Sequence, residues 1–166
     1  VQARSQGMDV ISVATYYREQ PNVILTRKDT GIKTVGDLKG KKVGIPGEYG
    51  SSWLALQAYL ASANMTTSDV NVMSIGYTQT SALSKGDVDA IVGFANNEAV
   101  QLSAAGVDAQ AVECDCTIPL VSASLVTTPQ WAKDHANELK ELLAATQEGM
   151  TTAVEHPDRE TRYDTE

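Results

Sequence analysis

The chain has 166 residues, enough for one ordinary domain or for one complete lobe and part of another, and it carries a formal net charge of −8. This charge argues against nucleic-acid binding, because a phosphate backbone is bound by clustered Lys and Arg. The hydrophobic share of 42% excludes wholesale disorder, and no apolar run is long enough to span a membrane.

Short apolar runs alternate with helical patterns along the whole chain. The predicted strands are 9–14, 22–26, 42–45, 70–75, 89–93, 109–114 and 120–127. The predicted helices are 34–38, a helix capped by Ser51 or Ser52, one from Thr78 or Thr80 to Lys85, one capped by Asn96 or Asn97, and an interrupted stretch from Pro129 to Val154. This alternation predicts an α/β fold with a mostly parallel sheet and helices on both faces.

A glycine-framed turn follows the strand predicted at 42–45. It contains the candidate ligand residues Glu48, Tyr49, Gly50, Ser51 and Ser52. Such a turn places backbone N–H groups and small side chains at the carboxyl end of a strand, where open α/β sheets bind ligands. The alternative is a plain strand-to-helix turn with a helix cap. The Glu48 carboxylate beside a helix start disfavours a phosphate or sulfonate and suits a neutral or amine-bearing ligand.

A second candidate group follows the strand predicted at 89–93. Asn96, Asn97 and Glu98 offer two amides and a carboxylate, which could hold the ring nitrogen and the exocyclic amine of a pyrimidine. The alternative is an Asn helix cap followed by an acidic first turn, and the same residues can do both.

Aromatic residues supply the remaining candidates. Tyr17, beside Tyr16 and just before a predicted hinge, either stacks on a flat ligand or packs at the hinge. Trp53 either stacks on the ligand or packs inside its lobe. The group Tyr77, Thr78 and Gln79 is a candidate by position alone, since it closes a strand at the same predicted edge.

The sequence lacks the patterns of the common catalytic and metal sites. It has no phosphate-binding P-loop, and its two histidines, His135 and His156, fall in the last helices, away from any serine nucleophile at the cleft. The pair Cys114 and Cys116 could supply two metal ligands, but no second pair accompanies it, and a disulfide between them would be strained. We therefore expect no catalytic residue, no metal and no cofactor, and a protein that is not an enzyme.

Three segments together resemble the substrate-binding proteins of bacterial ABC importers. These are the run 31–52, the run Leu83-Ser-Lys-Gly-Asp-Val-Asp-Ala-Ile, and Gly93-Phe-Ala-Asn-Asn-Glu. The phrase 32–45 is typical of the wider group, which also takes up sulfonates and nitrate. The Asn-Asn-Glu segment is similar to the branch that binds thiamine-pyrimidine precursors and riboflavin.

The resemblance implies a type II periplasmic binding fold of two lobes that close on a ligand. Residues 22–121 would be the complete second lobe, while 1–21 and the helical part 122–166 would belong to an incomplete first lobe. It further implies a small-molecule ligand, an ABC permease as the membrane partner, and a periplasmic or cell-surface lipoprotein location, with the export signal outside this sequence. An incomplete lobe would expose sheet edge, so self-association of the chain is an expectation too.

Three alternatives remain open from the sequence. The same fold could bind a sulfonate or a nitrate-like anion, or it could survive as a lobe that binds nothing. It could also be a biosynthetic or sensing domain, since pyrimidine synthases resemble this fold. Those synthases carry a cysteine-dense Cys-Cys-Cys-Phe-Cys motif, whereas this chain reads Glu-Cys-Asp-Cys-Thr-Ile at 113–118.

Overall fold

The computed structural model describes residues 2–17, 20–114 and 122–156. The chain divides into two compact units, Tyr17–Ser122 and a smaller one made of Val1–Tyr16 with Ala123–Glu166. The strands are β1 (Ile11–Thr15), β2 (Asn22–Arg27), β3 (Lys42–Ile45), β4 (Asn71–Ser74), β5 (Ala90–Phe94), β6 (Ala109–Ala111) and β7 (Ser124–Thr127). The α-helices are α1 (Gln2–Ser5), α2 (Gly50–Ser62), α3 (Gln79–Lys85), α4 (Glu98–Ala104), α5 (Pro129–Asp134) and α6 (Ala136–Glu155).

The larger unit holds a five-stranded sheet in the order β4-β3-β5-β2-β6. Strand β3 is parallel to β4 and to β5, whereas β2 is antiparallel to β5 and to β6. The α/β class predicted from the sequence is confirmed, and the sheet is mixed. The prediction of a mostly parallel sheet was wrong for β2, because the apolar pattern of this strand indicates burial of both its faces and not its direction.

Helices cover both faces of this sheet, as predicted. Because side chains alternate along a strand, Ile24 of β2 and Val92 of β5 pack with α2, while Leu25 and Ile91 pack with α3 and α4. Trp53 packs against the α2 side of the core, which is the packing role weighed for it in the sequence. The two cores leave the ends of the strands as the places where polar side chains gather.

Helix α2 begins two or three residues earlier than the serine caps predict. Its cap position is Tyr49, which makes no side-chain capping bond, and Gly50 has a φ of 70°. Only glycine takes this left-handed conformation readily, so the chain turns into the helix there. Ser51 and Ser52 therefore lie in the first turn, and Ser52 is buried.

The described part of the smaller unit contains an antiparallel pair of strands and the helices α1, α5 and α6. Strand β1 pairs with β7, from Ile11 opposite Thr127 to Thr15 opposite Ser124. Helix α5 begins at Pro129, and the Thr128 hydroxyl accepts a hydrogen bond from the backbone N–H of Trp131 at 3.1 Å. The predicted final helix is interrupted at residue 135, where α5 ends and α6 follows. No helix among the described residues is both long and apolar enough to span a membrane.

Several predicted strands differ in length from the observed ones, and the differences are largest for β6 and β7. Strand β6 ends at Ala111, although the prediction extended it to 114. The strand predicted at 120–127 is observed as Ser124–Thr127, and residues 120 and 121 lie outside the described residues. The prediction for β6 was too long because the apolar residues Val112 and Cys114 follow the strand directly, and the backbone N–H of Val112 still donates to the Ile24 carbonyl at 2.8 Å.

Two aspartates, the exposed Asp37 and the half-buried Asp69, are expected to make the larger unit sensitive to acid. The pKa of Asp37 is lowered first by the backbone N–H of Thr34, and the pKa of Asp69 is lowered in the same way by Thr66. Because these folded pKa values lie below the unfolded value of about 3.9, their stabilisation is complete above that pH and is lost as the pH falls through the folded values. We expect a lower urea midpoint at pH 3 than at pH 6. The double variant Asp37→Asn, Asp69→Asn should show a smaller difference, and an unchanged difference would contradict the assignment.

Candidate functional site

The carboxyl ends of β3, β4 and β5 lie side by side at one edge of the five-stranded sheet, because these strands are parallel neighbours. The amino end of β2 lies at the same edge, where Asn22 pairs with Phe94. The turns that leave this edge contain most of the predicted ligand residues. Open α/β sheets bind ligands outside the carboxyl ends of their strands. We call this candidate site the carboxyl edge.

The turn after β3 presents an aromatic ring. The backbone N–H of Tyr49 donates to the Gly47 carbonyl at 2.8 Å, which folds the chain back on itself. The Tyr49 ring then lies over Gly47, where a Cβ would collide with ring atom Cε1 and come within 2.9 Å of Cδ1. The ring can occupy this position only because Gly47 has no side chain, and 59% of Tyr49 remains exposed to solvent.

The turn after β4 lies next to that of β3. The N–H of Gly76 donates to the Pro46 carbonyl at 3.2 Å, and the Thr78 hydroxyl donates to the Ile75 carbonyl at 2.7 Å. Between these anchors Tyr77 is 83% exposed. An aromatic ring held open to solvent in a fixed turn is available to stack on a flat molecule.

The hydroxyls of Tyr49 and Tyr77 come together at the carboxyl edge. A hydrogen bond with Tyr77 raises the pKa of Tyr49 above its ordinary value, and the charge that Tyr77 would carry adds to the rise. The two hydroxyl groups therefore lie close in space, although the residues are 28 positions apart in the sequence. Both exposed rings are available to a flat ligand.

The turn after β5 is organised by Glu98. Its Oε2 atom accepts a hydrogen bond from the backbone N–H of Phe94 at 2.7 Å, and its Oε1 atom accepts one from Asn97 at 3.2 Å. The side chain folds over Gly93, where an added Cβ would lie only 2.9 Å from the Glu98 Cβ. Glu98 is 7% exposed, so most of its carboxylate is already engaged by the protein.

Residues Tyr17 and Asn96 meet at the same edge. The Asn96 amide donates to the Tyr17 hydroxyl at 3.3 Å, and the N–H of Ala95 donates to the Pro21 carbonyl at 2.9 Å. These bonds tie the start of β2 to the end of β5. They leave the Tyr17 ring half exposed beside the turn that carries Asn96.

A polar cavity of about 280 Å³ lies where the first turns of α3 and α4 meet. We call it the α3–α4 pocket. Its lining includes five of the predicted residues, namely Tyr77, Thr78, Gln79, Asn97 and Glu98. Three further lining residues, Thr80, Ser81 and Gln101, were not predicted.

The remaining predicted residues are not part of that pocket. Glu48, Gly50 and Ser51 are exposed at the start of α2, whereas Ser52 is 5% exposed and faces the interior. None of the hydrogen bonds described between side chains joins Glu48 or Ser51 to Asn96, Asn97 or Glu98.

Sequence reasoning missed two polar residues at the start of β2. The Gln20 amide donates to the Asn22 side-chain oxygen at 2.6 Å, and the opposite amide atoms, Gln20 Oε1 and Asn22 Nδ2, are buried without a partner among residues 2–17, 20–114 and 122–156. Exchanging oxygen and nitrogen on both amides would still leave one donor and one acceptor unpaired. The sequence could not indicate this pair, because two amide side chains on either side of a proline match no helix, strand or ligand-binding pattern.

The charge at the carboxyl edge is not positive. The segments 46–52, 76–81 and 94–101 contain no Lys or Arg, while Glu48 and Glu98 supply two carboxylates. A phosphate or sulfonate would find no opposite charge in these segments. The chemistry they offer is stacking and hydrogen bonding to an uncharged molecule.

The cysteines and histidines form no metal centre within the described part of the chain. Cys114 forms a disulfide, and its sulfur also lies 3.2 Å from the Ser62 hydroxyl. Cys116 lies outside the described residues. Among the residues that the structure describes, no group of three or more His, Cys, Asp or Glu side chains could hold a metal ion.

Two curated relatives match nearly all of this chain. The riboflavin-binding protein RibY of Chloroflexus aurantiacus is 31% identical over 156 residues, which are 94% of this chain and 44% of that protein. The 4-amino-5-hydroxymethyl-2-methylpyrimidine phosphate synthase of Legionella pneumophila is 28% identical over 171 residues, which cover 95% of this chain and 51% of that protein. The chain therefore spans about half the length of these relatives.

The fold is that of periplasmic binding proteins. The periplasmic aliphatic sulphonate binding protein SsuA from Escherichia coli is similar with a TM-score of 0.79 at 20% identity, over 95% of this chain and 51% of that one. The resemblance drawn from the sequence is confirmed, because the model of the NMT1/THI5-like family matches residues 1–160. The chain belongs to the NMT1/THI5-like family.

Proposed function

We propose that the protein is the extracytoplasmic substrate-binding component of an ABC importer and that it binds a small, uncharged nitrogen heterocycle without changing any bond. The observation that carries this proposal is the pairing of exposed Tyr49 and Tyr77 at a carboxyl edge without basic residues. Family membership and the likeness to a protein named for riboflavin binding support it.

The roles proposed for individual residues follow from the exposure of each side chain and from the hydrogen-bonding groups that it does not already use. The rings of Tyr77, Tyr49 and Tyr17 would stack on the ligand, because each is at least 42% exposed. Asn96 and Asn97 would donate and accept hydrogen bonds at the edge of the heterocycle. Glu98, occupied by Phe94 and Asn97, would hold these amides in place and keep spare acceptor capacity toward a ligand amine.

The remaining parts of the proposal concern the whole protein. Residues 22–121 would form one complete lobe, and 1–21 with 122–166 would belong to the other. The protein would work in the periplasm or as a cell-surface lipoprotein and deliver its ligand to an ABC permease. The disulfide at Cys114 supports an oxidising compartment.

A thermal-shift screen of the full-length protein tests the ligand class. The panel holds riboflavin, thiamine and its aminopyrimidine precursors against taurine and nitrate. A ligand at 100 times its dissociation constant stabilises the folded state by about 2.7 kcal/mol, so a heterocycle of the right class should raise the melting temperature by several degrees. Stabilisation by taurine or nitrate alone would overturn the proposed class.

A biosynthetic role is the second candidate, and the likeness to a relative named as a pyrimidine phosphate synthase favours it. Incubation with a panel ligand, followed by mass spectrometry of the recovered small molecule, separates the two candidates. Recovery of an unchanged ligand is expected from a transport receptor. A converted product would establish an enzyme.

A further inference from the structure

Two amide side chains at the start of β2, which we call the amide pair, each keep one polar group unpaired. The Gln20 amide donates to Asn22 Oδ1 at 2.6 Å. The other two groups, the acceptor Gln20 Oε1 and the donor Asn22 Nδ2, are buried without a partner in the described part of the chain. The amide pair therefore holds one acceptor and one donor away from water.

These two unpaired groups cost the folded protein free energy, because the hydration that each lost on burial is not replaced. Solvent does not relieve this cost, since Asn22 is only 4% exposed and both unpaired atoms are closed to water. Unpaired buried groups of this kind are rare in folded proteins and call for an explanation. A second arrangement of the segment, in which both atoms find partners, would recover the energy.

The amide pair lies where the chain is able to change its course. The chain passes from the smaller unit to the larger one between Tyr16 and Tyr17, a few residues before Gln20. Gln20 precedes the sheet, and Asn22 is the first residue of β2. Segments that cross between compact units absorb changes of backbone direction, because few contacts hold them.

Backbone hydrogen bonds connect the amide pair to the turn after β5, which carries three candidate ligand residues. The carbonyl of Pro21, between the two amides, accepts from the N–H of Ala95 at 2.9 Å. Asn22 lies opposite Phe94, whose N–H donates to Glu98 at 2.7 Å. A ligand that contacts this turn therefore acts on the backbone beside the amide pair through direct hydrogen bonds.

We propose that the amide pair is a conformational switch of the carboxyl edge, unpaired in the ligand-free protein and paired when a ligand binds. The free energy recovered by the two groups then adds to the affinity, because a ligand shifts an equilibrium toward the state that it binds better. This inference rests on the proposed function and deepens it. Gln20 and Asn22 are positioning residues, which control binding without touching the ligand.

The double variant Gln20→Met, Asn22→Leu tests the switch in the full-length protein. It replaces both amides with apolar side chains of similar size and removes both unpaired groups, so the melting temperature of the ligand-free protein should rise by about 2–4 °C. Its affinity for riboflavin, or for the aminopyrimidine of the panel if that compound binds instead, should fall about tenfold in calorimetric titration, because the bonds gained on binding are lost.

The single variants and an exposed glutamine are the controls. Gln20→Met and Asn22→Leu each leave two unpaired polar groups on the amide that stays, as many as before, so neither should raise the melting temperature. Gln57→Met changes an exposed amide of α2 and should alter neither the melting temperature nor the affinity.

An NMR titration of the unaltered protein makes the test independent of how the variants fold. The side-chain amide protons of Asn22 should move downfield at saturating ligand, because an amide proton that gains a hydrogen bond is deshielded. The side-chain amide signals of Gln57 should keep their positions. Asn22 signals that stay in place would overturn the switch.

The other outcomes separate the switch from the proposed function. A double variant that melts higher but keeps its affinity would show that the two groups stay unpaired in the bound state. A double variant that does not melt higher would show that they are already satisfied in the free protein. Either result would overturn the switch and leave the proposed function standing. Failure of every heterocycle of the panel to bind the unaltered protein would overturn both proposals.

Discussion

Replacing Gly93 by alanine is expected to destabilise the Tyr17–Ser122 unit by about 2–4 kcal/mol. An added Cβ would lie 2.9 Å from the Glu98 Cβ and 3.0 Å from its Oε2, and the first of these atoms is too close to the backbone to move away freely. Overpacking alone costs about 1–3 kcal/mol. The displaced carboxylate would also lose its 2.7 Å hydrogen bond from Phe94, at about 1.5–3 kcal/mol.

Urea unfolding measures this effect, and Gly36→Ala is its matched control. Gly36 lies in the same unit, and the nearest atom to its Cβ would be the Thr34 hydroxyl at 3.7 Å, which is ordinary contact. We expect Gly36→Ala to change stability by less than about 0.5 kcal/mol. Equal midpoints for the two variants would show that Glu98 does not hold this turn.

Replacing Tyr77 by alanine is expected to weaken ligand binding by about 10- to 100-fold without changing stability. The ring is 83% exposed, so its removal leaves the folded core intact, whereas a stacked ligand would lose its main aromatic contact. Calorimetric titration with the best ligand of the thermal-shift panel measures the loss. An unchanged affinity would remove Tyr77 from the site.

The matched variant Tyr77→Phe keeps the ring and removes the hydroxyl. Affinity should stay within about threefold of the original protein, because stacking depends on the ring. The pKa of Tyr49 should fall back toward its ordinary value, since the hydrogen bond with Tyr77 and the charge Tyr77 would carry both raise it. NMR titration of the tyrosine Cζ signals follows this change. A constant Tyr49 pKa would show that the two hydroxyls do not meet in solution.

The sequence predicted the elements of the larger unit well because their local signals agree. Strand β3 was predicted at its observed bounds, since Val43 to Ile45 is an apolar run between the glycine stop at Gly40 and a Pro-Gly turn. Strand direction could not be predicted in the same way. The antiparallel course of β2 is determined by its pairing with Phe94 and its neighbours, far away in sequence.

The sequence could predict which residues lie at the site but not which of them contact one another. Turns after predicted strands indicated Tyr49, Tyr77 and Glu98 as candidates, because carboxyl ends of parallel strands share an edge. The close pairing of Tyr49 with Tyr77 depends on the order of strands in the sheet. The burial of Gln79 depends on how α3 packs beside α4, and no short-range pattern encodes that packing.

Mapping of amide NMR shifts in the labelled full-length protein on adding riboflavin would show where on the sheet the ligand binds. The largest shifts are predicted at the carboxyl edge, in 47–52, 76–81 and 94–98. The amide signals of Lys42, Asn71 and Asp89, at the opposite ends of the same strands, should keep their positions. Shifts concentrated at those opposite ends, or no shift with riboflavin or any other heterocycle of the panel, would rule out a heterocycle site at the carboxyl edge.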